Sequence, residues 1–128
     1  MKKLFVAIVV MGLLTVLITL VAACGQSAAA SGPNQVHMNE SNFEQSSITI
    51  KKGQQITLVN DASAVHIIEN GTWDDNGNAR AGKELGVPTV DTQMSGNASQ
   101  KIGPFNTTGT FHLYCTVHPG MKLTIFVK

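Results

Sequence analysis

The chain has 128 residues, of which 13% are charged, and its formal net charge is +1. A chain of this length supports one domain with a modest core. The low and scattered charge excludes the clustered basic face that nucleic-acid binding requires. The hydrophobic fraction of 43% overstates the size of that core, because many of the apolar residues lie in the first 23 positions.

The N-terminus combines a positive start with an apolar run. Lys2 and Lys3 are followed by Leu4–Ala23, which is almost wholly apolar. This pattern is typical of a signal for export. We therefore predict that residues 1–23 are a signal peptide and that the rest of the chain lies outside the cytoplasm.

The apolar run ends in Val21-Ala22-Ala23-Cys24, which resembles the bacterial lipobox, a set of small residues followed by a cysteine that receives lipid. The resemblance implies lipidation of Cys24 and an anchor on the outer face of the cell membrane. The alternative is an uncleaved transmembrane helix, because about 20 apolar residues are enough to span a bilayer. Residues 24–34 are small and polar, and we predict that they form a flexible tether.

From Gln35 onward, short runs with alternating apolar residues are separated by Gly, Asn, Asp and Pro. Such period-2 runs predict an all-β domain over residues 35–128, an antiparallel sandwich or barrel. Residues 70–100 lack this alternation, and we expect a long connection there with room for a short strand or turn. The alternating runs are Ile48–Ile50, Ile56–Val59, Val65–Ile68, Phe111–Cys115 and Leu123–Val127.

The stretch Cys115–Met121 carries a thiol, an imidazole and a thioether at every third position, in Cys115, His118 and Met121. Pro119-Gly120 disfavours a helix, so the stretch is predicted to be a tight loop between two strands. A Cys with two His and a weak axial Met is the ligand set of a blue-copper site. The loop supplies three of these four ligands, and a second imidazole must come from elsewhere.

His66 is the best candidate for that second imidazole. Alternation places Cys115 on the apolar face of its strand and His112 on the opposite face. His37 lies near the start of the domain between Val36 and Met38 and has no partner in sequence, and a lone His is ordinarily a surface residue. His66 lies in an apolar run after a predicted turn. We therefore predict a copper site formed by His66, Cys115, His118 and Met121.

Other candidate ligands, metals and roles are less consistent with the sequence. Met38 and Met94 are rival thioethers, but neither lies in a loop beside another candidate ligand. Zinc is disfavoured by a Met ligand, and a thiol enzyme with Cys115 as nucleophile lacks a third group to orient its base. A disulfide from Cys115 to Cys24 remains an alternative to lipidation.

The chain also resembles the cupredoxin family over residues 35–128. The resemblance rests on Ile48–Gly53, on Asn60 with His66, and on Gly109–Met121. It implies a Greek-key β-sandwich with one type 1 copper at one end, and one-electron transfer as the activity. Many members carry Asn directly after the first His, where it braces the two ligand-bearing loops. Ile67 stands there in this chain, so rigidity is expected to rest on other contacts, such as those of Asn60 or Thr116.

Together these observations predict a membrane-anchored type 1 copper protein, not an enzyme, that carries single electrons through a Cu(II)/Cu(I) couple. Redox partner proteins are expected to dock on a patch around His118. The alternative function is that of a copper-delivery or copper-storage protein. Such proteins favour Met- and His-rich sets that hold Cu(I), whereas a single Cys between strands favours a fixed redox site.

Overall fold

A computed structural model describes residues 32–128, and the predicted signal peptide and lipidation site lie outside this range. Within these residues the secondary structure consists of strands without a helix. No helix in this range has the length and hydropathy needed to cross a membrane. The strands are β1 (Gln35–Met38), β2 (Ser47–Ile50), β3 (Ile56–Asn60), β4 (His66–Trp73), β5 (Ala79–Ala81), β6 (Asp91–Met94), β7 (Ser99–Ile102), β8 (Gly109–Cys115) and β9 (Lys122–Val127).

The strands form two sheets, which confirms the all-β fold class. One sheet has the order β1-β3-β7, and the other has the order β2-β9-β8-β4-β5 with β6 also paired to β4. Most pairs are antiparallel, as the sequence predicts, but β1 with β3 and β2 with β9 are parallel. Side-chain alternation does not encode strand direction, so these two pairs were not predictable from it.

The core lies between the inward faces of the two sheets. In β8 and β9 the alternating residues predicted to point inward are buried, and Phe111 lies opposite Ile125 while Leu113 lies opposite Leu123. Burying such a side chain contributes about 1.5–3 kcal/mol. The fully buried core residues come from both sheets and from the connection between β7 and β8: Val36, Met38, Ile56, Leu58, Ile68, Phe105, Leu113, Leu123 and Ile125.

Residues 70–100 are more regular than expected, because they contain the end of β4, all of β5 and β6 and the start of β7. β4 pairs with β8 as far as Asn70 and with β5 from Gly71 onward. Gly71 has a φ of 136°, and a Cβ there would lie 2.9 Å from the Tyr114 ring. The second half of β4 therefore passes closely over β8, on the face away from the core.

Candidate metal centre

Three predicted ligands meet at one end of the larger sheet. Sγ of Cys115 lies 3.7 Å from Nδ1 of His66 and 3.4 Å from Nδ1 of His118. The three ligand atoms all lie within 4.8 Å of one another, and His66 and Cys115 are fully buried. Three donors at the usual metal–ligand distances of about 2.0–2.3 Å around one ion would be ~3.7 Å apart. The spacing and the chemistry of these donors therefore fit a bound metal ion.

Strand pairing brings residues that are distant in sequence to this point. His66 begins β4 and Cys115 ends β8, and the register of these neighbouring strands places Ile68 opposite Cys115. His118 lies in the loop that leads to β9, and its carbonyl accepts a hydrogen bond from the Met121 N–H at 3.1 Å. The Cys115 N–H donates to the Met121 carbonyl at 3.0 Å, which closes the loop. Met121 is 1% exposed and lies in the core beneath it.

The ring of His66 is oriented by a backbone carbonyl. Its Nε2–H donates to the carbonyl of Asn39 at 3.0 Å, which leaves Nδ1 facing Cys115. Burial, followed by the neighbouring His118, lowers the pKa of His66 below its usual 6.5. A metal requires the unprotonated ring as its ligand. Both the orientation and the lowered pKa therefore prepare His66 for metal binding.

Many relatives brace the two ligand-bearing loops with an Asn at the position of Ile67. In this chain, backbone hydrogen bonds and the side chain of Asn60 hold these segments. The Thr116 N–H donates to the Ile67 carbonyl at 2.9 Å and joins the two ligand-bearing segments directly. The buried Asn60 donates through Nδ2 to the carbonyls of Ala64 at 2.8 Å and Ser95 at 3.0 Å. Asn60, at the end of β3 in the smaller sheet, thus holds the segment that leads into His66, and Thr116 holds the residue that follows His66.

The remaining imidazoles are engaged elsewhere. Nδ1 of His37 lies 2.5 Å from Oδ2 of Asp61, and Nδ1 of His112 lies 2.6 Å from Oε1 of Glu84. Neither belongs to the His–Cys–His cluster. This agrees with the expectation that both are peripheral to the site.

Of the rival thioethers, Met94 is closer to the site than its sequence position suggested. It is buried and lies directly opposite His66 across the β4–β6 pair. Alternation and loop position carry no information about this pairing, because it depends on the path of residues 70–100.

Sequence reasoning also missed a contact of Trp73. Its Nε1–H donates to the carbonyl of Cys115 at 3.1 Å, across 42 positions of sequence. No spacing or motif connects the two residues. The only signal was the presence of a large aromatic residue in a segment otherwise poor in them.

Comparisons with known proteins agree with this geometry. The family model described as copper binding proteins, plastocyanin/azurin family, matches residues 30–128. Plastocyanin from Scenedesmus fuscus is 32% identical over 88 residues, which cover 67% of this chain and 86% of that protein.

Solved structures show the same fold. The purple cupredoxin from Nitrosopumilus maritimus is 18% identical with a TM-score of 0.56, covering 73% of this chain and 98% of that one. Amicyanin from Paracoccus versutus is 21% identical with a TM-score of 0.56, covering 78% and 87%. The family model and the plastocyanin relative confirm the predicted cupredoxin resemblance and the copper cofactor. The chain belongs to the plastocyanin/azurin family of copper-binding proteins, whose members are electron carriers and not enzymes.

Proposed function

We propose that this protein is an exported, membrane-anchored carrier of single electrons, with one copper ion held by His66, Cys115, His118 and Met121. The observation that carries the proposal is the convergence of two imidazole nitrogens and one thiol sulfur within 4.8 Å at the end of the sheet. A soft thiolate with two imidazoles and a weak thioether is the set that suits copper in both valences.

The protein supplies a rigid and dry frame for this couple. Copper, when bound, provides the Cu(II)/Cu(I) exchange of one electron. Cys115 binds as the thiolate, since a metal displaces the proton of its ligand. The β4–β8 register and the hydrogen bonds of the ligand loop hold the donors in place, so little needs to move when the charge changes. Phe111 and Leu113, buried on the same face of β8 as Cys115, exclude water from beneath the site.

Electrons are proposed to enter and leave at His118. This residue is half-buried, whereas His66 is fully buried. Val65 and Val117, which are 45% and 48% exposed, adjoin the two imidazoles in sequence. We propose that these residues, together with Pro119, form the docking patch, a small apolar surface around His118. A small interface of this kind suits a weak and transient contact with a redox partner protein.

The membrane anchor rests on the sequence of the first 24 residues. An apolar run that ends at Cys24 supports lipidation of that cysteine, and the small, polar residues after it support a tether. A tether of this composition lets the docking patch reach partners near the membrane surface. The same signal supports a position on the outer face of the membrane.

An absorption spectrum of the full-length chain in mild detergent tests the copper site. Loading with Cu(II) should produce an intense thiolate-to-copper band in the visible range, and ascorbate should abolish it. Cys115→Ser should remove the band, and the matched variant Cys24→Ser should keep it. A colourless protein with bound copper would contradict the proposal, and rapid handover of copper without a stable band would favour copper delivery instead.

Mass spectrometry of the protein recovered from bacterial membranes tests the anchor. We expect a chain that begins at Cys24 and carries the mass of attached lipid, and we expect Cys24→Ser to lose both features. An intact N-terminus with an unmodified Cys24 would show that the segment is an uncleaved helix.

A further inference from the structure

The carbonyl of Cys115 is left without a partner in the sheet by the turn of the ligand loop. The Cys115 N–H donates to the Met121 carbonyl, as in an ordinary antiparallel pair. The Met121 N–H does not return this bond, because it donates to His118 within the loop. The indole N–H of Trp73 takes its place and donates to the Cys115 carbonyl at 3.1 Å.

The path of β4 delivers the indole to this point. Beyond Gly71 the strand crosses the outer face of β8, and the Trp73 ring packs edge-on against Tyr114, with centroids 6.0 Å apart and an interplanar angle of 80°. Nζ of Lys122, at the start of β9, donates to the Trp73 carbonyl at 3.2 Å. Trp73 is 9% exposed. The ring is therefore held against β8 while the backbone of Trp73 is fastened to β9, and the indole has little freedom to turn away from Cys115.

We propose that Trp73 is a positioning residue for the copper site and acts on the metal through the carbonyl of Cys115. This inference rests on the proposed function, since it takes Cys115 as the copper ligand. A buried carbonyl without a donor is costly, so loss of the indole N–H would let the Cys115 peptide turn and carry the thiolate with it. The N–H also places the positive end of its dipole at the carbonyl of the ligand residue Cys115, which disfavours the more highly charged Cu(II) state.

Trp73→Phe in the copper-loaded full-length chain tests this role, because it keeps an aromatic ring and removes the N–H. At a fixed solution potential, we expect the Cu(I)/Cu(II) ratio to fall by up to about tenfold, equivalent to ~59 mV for a one-electron couple. The thiolate-to-copper band should shift as well. Tyr114→Phe is the matched control, because it removes only a hydroxyl, keeps the ring that packs on Trp73 and should leave both readouts unchanged.

A purely structural role for Trp73 would give a different result. It would lower the melting temperature of Trp73→Phe and leave the band and the Cu(I)/Cu(II) ratio at their wild-type values, which would overturn the proposal. Absence of the band from the wild-type protein would instead refute the proposed function itself. The two failures are therefore distinguishable.

A second measurement does not depend on the folding of a variant. The chain contains a single tryptophan, so growth on 5-fluorotryptophan changes only the indole at position 73 and makes its N–H a stronger donor. We expect the Cu(I)/Cu(II) ratio to rise, opposite to the effect of Trp73→Phe. In the metal-free protein, the one indole N–H resonance should exchange slowly with D₂O. Fast exchange, or an unchanged ratio in the fluorinated protein, would overturn the proposal.

Discussion

Replacement of Asn60 by Ala should destabilise the domain and loosen its metal site. The Asn60 side chain is 1% exposed and makes three hydrogen bonds. Two run from Nδ2 to the carbonyls of Ala64 and Ser95, and the third runs from the Ala62 N–H to Oδ1 at 3.1 Å. Together they hold the turn between β3 and β4 and fasten it to the segment after β6.

The expected loss follows from these contacts. At about 1 kcal/mol for each hydrogen bond, the free energy of unfolding should fall by about 3 kcal/mol. For a domain of this size that corresponds to a decrease in melting temperature on the order of 12–24 °C. Because Ala64 lies two residues before His66, the variant should also release copper faster than the wild type.

Urea unfolding of the metal-free protein measures the first effect, and transfer of copper to a chelator measures the second. Asn106→Ala is a suitable control, because Asn106 is an exposed Asn in the same domain, and it should change neither quantity. A loss of less than about 1 kcal/mol in Asn60→Ala, or an unchanged rate of copper release, would refute the view that Asn60 braces the site.

Three further predictions concern the axial ligand and the dependence on pH. Met121→Leu should raise the Cu(I)/Cu(II) ratio at a fixed potential by up to about tenfold, equivalent to ~59 mV, because the axial ligand tunes the potential of such a site. In potentiometry, Met94→Leu should leave the ratio near the wild-type value, and the reverse result would make Met94 the axial ligand. Burial and a neighbouring imidazole lower the pKa of His66 from 6.5, so the unfolded chain binds the proton more readily than the folded protein does. The urea midpoint of the metal-free protein should therefore fall as the pH drops below about 6.5. His66→Gln should lack this part of the pH dependence. The Asn78 N–H, first among several donors, lowers the pKa of Asp74 from 3.8 to about 2. The stabilising effect of the Asp74 carboxylate is therefore present above pH 3.8 and is lost toward pH 2. Asp74→Asn should flatten this part of an acid titration followed by circular dichroism, and an unaltered titration would contradict the assignment.

Much of the ligand loop was predictable because its information is local. The alternation of Phe111, Leu113 and Cys115 correctly placed the thiol on the core-facing side of β8. Pro119-Gly120 correctly excluded a helix. His118 and Met121 could be identified as candidate ligands because they lie within six residues of Cys115. His66 was found by elimination among four histidines, and the structure places its Nδ1 beside the Cys115 sulfur.

The contacts that surround the ligands were not predictable in this way. The donation from Trp73 to Cys115 depends on β4 leaving β8 at Gly71, and the position of Met94 opposite His66 depends on how residues 70–100 return to the sheet. Neither is a property of a short window of sequence. The lipid anchor at Cys24 stays a prediction from the sequence.

The sequence by itself determined the strand alternation, the composition of the ligand loop and the donor types that select copper, because each depends on residues a few positions apart. Only the tertiary structure decided which strands are neighbours, in which register and direction, and so which distant side chains support the donors. The physical reason is that pairing between strands is selected by the packing of the whole core, to which every segment contributes at once.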